Sequence, residues 1–99
     1  MPVQGETRER TRINIKEPKR YRVVMHNDDF TPMDFVVAIL MDIFHKDRLE
    51  AVHLMLAVHE SGQASVGSYS YDMAVTKVQE AAARAKEGDY PFRMTIEEA

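Results

Sequence analysis

A chain of 99 residues has room for one domain with a single modest core. It has no cysteine, which excludes disulfides and thiolate metal sites and suits a reducing cytoplasm; no apolar run approaches the ~20 residues of a membrane span, and no secretory leader is expected after Met1. The net charge of -3 is unevenly spread, with six Lys/Arg against three acids in residues 1–20 and seven against thirteen in the rest, so a basic tail precedes an acidic body and a nucleic-acid surface on the folded part is disfavoured.

Residues 1–19 are expected to form a flexible basic tail, because charges dominate and hydrophobic periodicity is missing. The folded domain should span residues 20–99. Tyr21 to His26 reads as a strand, with Tyr21, Val23 and Met25 alternating onto one face. A helix from about Pro32 to Phe44 follows, with Thr31 as its N-cap, Pro32 at the first helical position and Asp34 completing a capping-box-like pattern. A second helix begins at Asp47, which can cap with Glu50, and ends near Gly62. Gln63 to Tyr69 reads as a strand in which Gly67 suggests a bulge or turn. Ser70 caps a third, alanine-rich helix from Tyr71 to Lys86, stopped by Gly88, and Phe92 to Ile96 alternates as a last strand. The order β-α-α-β-α-β predicts an α+β sandwich, three helices on one face of a three-stranded antiparallel sheet.

The helix start explains Thr31, Pro32 and Asp34 but leaves Asn27, Asp28 and Asp29 without a structural task. Such a loop, rich in hydrogen-bond acceptors and lying beside apolar residues, suits a cationic group attached to a greasy one. In the second helix Met55, Val58 and His59 fall on one flank, because spacings of three and four residues share a face. Taken alone, these residues also fit plainer tasks: a solvated turn for the loop, a dipole-favoured helix end for His59, core for Met55 and Val58.

The run Asn27-Asp28-Asp29-Phe30-Thr31-Pro32-Met33, together with Leu54-Met55-Leu56-Ala57-Val58-His59, resembles the ClpS family, the bacterial N-end-rule adaptors of the Clp protease. Ala74-Val75-Thr76-Lys77 and the Tyr90-Pro91-Phe92 turn are further matches, so that the resemblance covers residues 20–98. It implies a non-enzymatic adaptor without cofactor or metal, cytoplasmic and monomeric. Such an adaptor captures proteins whose N-terminal residue is Leu, Phe, Tyr or Trp and passes them to the N-terminal domain of a ClpA- or ClpC-type AAA+ unfoldase, for degradation by ClpP. Carried over by position, the resemblance assigns an α-amine clamp to Asn27, Asp29 and His59. It assigns a hydrophobic pocket to Thr31, Met33, Val36, Met55, Val58 and Phe92, with Met33 as the gate against β-branched residues. It also assigns unfoldase docking to Asp72 and Lys77, and engagement of the unfoldase to the basic tail. Three positions depart from the family pattern: Phe30 stands in place of Tyr, Asp72 in place of Glu, and Phe92 in place of a smaller aliphatic residue, a change expected to narrow the pocket against Trp and Tyr.

The chemistry supports that assignment. An N-terminal residue offers an ammonium with three donors directly beside one side chain, so its receptor needs convergent acceptors at the mouth of an apolar cavity. Each charge-assisted hydrogen bond contributes on the order of 1.5–3 kcal/mol, and burying a Leu or Phe side chain adds about 1.5–3 kcal/mol. After association costs, a roughly micromolar Kd is expected. His59 should serve the clamp in its neutral form, since imidazolium would set a second cation against the ligand amine.

Three other readings remain at this stage. A metal enzyme would draw on His26, Asp28, Asp29, His45, His53 or His59, but His53 and His59 are six residues apart, on different faces of a helix. A hydrolase would need Ser61 or Ser65 with His59 and Asp29, but neither serine has nucleophile-elbow glycines around it. An RNA-associated module would have to be led by the basic tail.

Overall fold

The computed structural model describes residues 19–99. The tail expected over residues 1–19 falls outside them except for Lys19, which pairs with Glu98 at 3.2 Å. The elements follow the expected order: β1 (Tyr21–His26), α1 (Met33–Asp42), α2 (Arg48–Ser61), β2 (Gln63–Tyr69), α3 (Tyr71–Glu87) and β3 (Arg93–Glu98). The sheet runs β2-β1-β3 and both pairings are antiparallel.

The central strand carries most of the packing. Val23 and Met25 are fully buried in one core with Ile39 and Leu40 of α1, Ala51 and Val58 of α2, and Ala74, Ala81 and Ala85 of α3. The alanines explain how α3 lies close to the sheet, since a short side chain keeps the helix axis near its neighbour while favouring helix. The opposite face is polar around Val24, where Arg22 reaches Glu97 at 3.4 Å and His26 Nε2 meets Thr95 Oγ1 at 2.7 Å. The irregularity expected near Gly67 is a bulge: Val23 faces Gly67 but Val24 faces Ser65, so Val66 is the extra residue and turns into the core.

Helix ends decide where the functional loops sit. Asp47 accepts the Glu50 N–H at 2.8 Å and Ser70 Oγ accepts the Met73 N–H at 3.4 Å, as their sequence positions require. The start of α1 differs from expectation. Thr31 does not cap it; Pro32 occupies the cap position with no side-chain bond, and Thr31 Oγ1 instead donates to Asp28 Oδ2 at 2.8 Å. An Asx-type turn has taken the hydroxyl that the cap would have used. Helix α1 also stops at Asp42, short of Phe44, because His45 takes a left-handed φ of 57° and Phe44 turns into the core.

Gly62 ends α2 at a φ of 91°, with its N–H on the Val58 carbonyl at 2.8 Å. Its own carbonyl accepts the Asn27 N–H at 2.9 Å, so the end of β1 is fastened to the turn just beyond His59. Nothing lies within 4 Å of a Cβ placed there, so substitution is opposed by backbone conformation and not by crowding. Gly62→Ala is therefore expected to lower stability by about 1 kcal/mol in urea unfolding, whereas a side-chain clash would make Gly62→Ser and Gly62→Ala differ in order of size.

Candidate functional site

One cavity of about 160 Å3 opens where the end of β1, the start of α1, the end of α2 and the entry to β3 meet. All nine residues singled out for ligand contact line it: Asn27, Asp29 and His59, and Thr31, Met33, Val36, Met55, Val58 and Phe92. The sequence left the proximity of His59 to the loop unproven, and the Asn27–Gly62 backbone bond supplies it.

The lining is graded. Met25, Val58 and Phe92 are buried and form the apolar interior, whereas Asn27, Asp29 and His59 are exposed at the mouth. The Phe35 ring holds that of Phe92 edge-on at 5.8 Å and also touches Tyr90, with centroids 4.8 Å apart. This contact fixes one wall in place. Two carboxylates, Asp28 and Asp29, stand in the lining and no Lys or Arg does. The mouth therefore favours a cation and the interior favours hydrocarbon. A cavity of about 150 Å3 accommodates a benzene ring, so this one has room for one aromatic or branched aliphatic side chain.

Asp28 has the structural task that sequence reasoning did not find. Its Oδ1 accepts the Phe30 N–H at 2.8 Å and the Thr31 N–H at 2.7 Å, while Oδ2 takes the Thr31 hydroxyl. Burial pushes its pKa upward, but the two Thr31 donors and the Phe30 N–H outweigh that and hold the carboxyl below its usual range. The loop is thus braced from within, leaving the Asn27 and Asp29 side chains to face outward.

Met25 and His26 also belong to the lining. The alternation of β1 already put Met25 on the core face, so its nearness to the loop was a usable signal; His26 was weighed only as a metal ligand, and nothing in the sequence placed it beside this cavity. Burial pushes the pKa of His26 below its ordinary value, Arg93 adds to the effect and Glu97 opposes it.

The docking pair divides. Asp72 is exposed in the first turn of α3, between the exposed Tyr71 and Met73. Lys77 departs from the expectation for a surface docking residue: only 7% of it is exposed, and its Nζ donates to the Ile43 carbonyl at 2.8 Å. The ammonium also lies 5.7 Å from the Phe44 ring and 5.5 Å from that of Tyr69. Its position, 34 residues from Ile43, lets α3 close the carbonyl end of α1.

The alternative chemistries find little to build on. Neither Ser61 nor Ser65 lines the cavity, and among the described residues no three His, Asp or Glu stand close enough to hold a metal ion. No helix among the described residues is long and apolar enough to cross a membrane.

Comparison with known proteins decides the family. The family described as ATP-dependent Clp protease adaptor protein ClpS matches residues 16–95. The chain belongs to the ClpS family. It is 48% identical over 99 residues to the ClpS of Treponema denticola, covering 98% of each chain. It is 51% identical over 84 residues to that of Oleidesulfovibrio alaskensis, covering 85% of this chain and 81% of the relative. Its fold matches the solved structure of Agrobacterium tumefaciens ClpS2 bound to L-phenylalaninamide, with a TM-score of 0.81 and 35% identity over 84% of this chain and 100% of that one. It is thus a Clp protease adaptor, not an enzyme, and the α+β sandwich is that of its family.

Proposed function

We propose that this ClpS-family chain recognises substrate proteins by a free N-terminal Leu, Phe, Tyr or Trp. Asn27, Asp29 and His59 receive the α-amine, and the side chain enters the cavity walled by Thr31, Met33, Val36, Met55, Val58 and Phe92. The observation that carries this reading is the graded cavity, with an acidic, acceptor-rich mouth above an apolar interior sized for one side chain. The relative solved with L-phenylalaninamide supports it, because that ligand joins a free α-amine to a benzyl group and little else.

The captured protein then passes to the N-terminal domain of a ClpA- or ClpC-type AAA+ unfoldase in the cytoplasm, with the adaptor acting as a monomer. Asp72, flanked by the exposed Tyr71 and Met73, offers a charged spot within an apolar patch for that contact. Lys77 contributes from inside, by holding α1 and α3 together. The basic tail of residues 1–19 engages the unfoldase.

Binding of labelled peptides by fluorescence anisotropy tests the reading. Free-amine peptides beginning with Leu, Phe, Tyr or Trp are expected to bind, and N-acetylated and Arg-initiated ones are not. Acetylation removes the charge and the donors that the acceptors at the mouth receive, and a guanidinium would have to be desolvated in the cavity. Binding should be lost in Asn27→Ala and His59→Ala. Equal affinity for free and acetylated Leu peptides would remove the amine clamp.

A further inference from the structure

We propose that the groove between α1 and α2 is a second subsite, which takes the aliphatic side chain of the residue following the captured N-terminal one. The proposal rests on the N-terminal-residue reading above. The groove has a volume of about 390 Å3, and every residue lining it comes from α1 or α2. Two of them, Met33 and Met55, also line the cavity, so the two hollows share a wall.

Between its ends the groove is lined by aliphatic side chains. Val37, Ala38 and Met41 of α1 face Val52 of α2, and of these only Val37 is buried. From Met33 to Met41 the helix advances about 12 Å, a length that a side chain and its neighbouring backbone can occupy. Charge is confined to the ends. Asp34 stands near the shared wall, while Asp42 and Arg48 stand at the far end, where Asp42 is already paired with Arg84 at 3.0 Å.

Geometry makes the second residue the occupant. Successive Cα atoms are about 3.8 Å apart, so a peptide whose first side chain fills the cavity has its second residue within one methionine length of the shared wall. Met33 is half exposed at that junction and, being flexible, can close over the first side chain while offering its other flank to the second. A Leu or Met at the second position covers the aliphatic lining. Glycine leaves it wet, and an acidic residue meets Asp34.

The test uses the full chain and peptides that begin Phe-Leu, Phe-Gly or acetyl-Phe-Gly and are otherwise identical. Phe-Leu is expected to bind about tenfold more tightly than Phe-Gly, corresponding to burial of roughly half a leucine side chain. Ala38→Glu, which places a charge in the groove but not in the cavity, should bring the two within about twofold while leaving Phe-Gly affinity unchanged. As a measurement independent of that variant, the methyl resonances of Ala38 and Val52 in the unmodified chain should shift with Phe-Leu and not with Phe-Gly. Equal affinities for Phe-Leu and Phe-Gly, with acetyl-Phe-Gly unbound, would overturn the subsite and leave the amine clamp standing. Equal binding of Phe-Gly and acetyl-Phe-Gly would overturn the clamp itself. A dimer in sedimentation that Ala38→Glu dissolves would assign the groove to a second copy of the chain and also overturn the proposal.

Discussion

Asp28→Ala is expected to weaken binding of a Phe-initiated peptide about thirtyfold, although the clamp as assigned does not use this carboxylate. Its two oxygens take three donors from Phe30 and Thr31, and these bonds hold the loop between Asn27 and Thr31, whose ends both line the cavity. Without them two backbone N–H groups lose their acceptor, and the loop must be ordered again each time a ligand binds. An ordering cost of about 2 kcal/mol corresponds to that factor of thirty. Asp28→Asn keeps a carbonyl oxygen and should lie between the two. Folding stability should fall in the same order, and its pH dependence carries a signature. The native carboxyl titrates below its ordinary value of 3.8. Its contribution is therefore fully present above that value and disappears as pH falls through the lower native one. The stability difference between the unaltered chain and Asp28→Ala should be flat above about pH 5 and shrink below about pH 4. A peptide affinity unchanged in Asp28→Ala, in a preparation where Asn27→Ala abolishes binding, would show that the loop needs no such brace.

The same residue marks the boundary of what the sequence can disclose. The order of elements, the Asp47 and Ser70 caps and the Gly62 stop are local chemistry, written within three or four positions, and they are found where expected. The nine cavity residues could be named because the loop and helix motifs resemble those of a known family, not because spacing brings residues 27 and 59 together. What joins those residues is a backbone bond between Asn27 and Gly62, and backbone atoms carry no sequence signature. Asp28 was left without a task because Thr31 had two uses, helix cap or turn brace, and only tertiary placement decides between them.

The burial of Lys77 is hidden from the sequence for a related reason. A lysine on an alanine-rich helix is normally solvated, and the carbonyl that holds this one lies in the segment after α1, 34 residues away in the chain. Lys77→Ala is expected to destabilise the protein by about 3 kcal/mol in urea unfolding. The side chain is buried and donates to the Ile43 carbonyl at 2.8 Å, a charge-assisted bond worth about 1.5–3 kcal/mol. The rings of Phe44 and Tyr69 add cation–π attraction, and truncation opens a void beside them. Lys77→Met separates these contributions, because it keeps most of the packed stem and loses the ammonium; about half of the destabilisation should remain. If Lys77 acted only through contact with an unfoldase, both variants would unfold at the same urea concentration as the unaltered chain. A loss of unfoldase binding in Lys77→Ala therefore carries meaning only beside its unfolding curve. Asp72→Ala, exposed and outside the core, is the substitution that reports on docking without disturbing the fold.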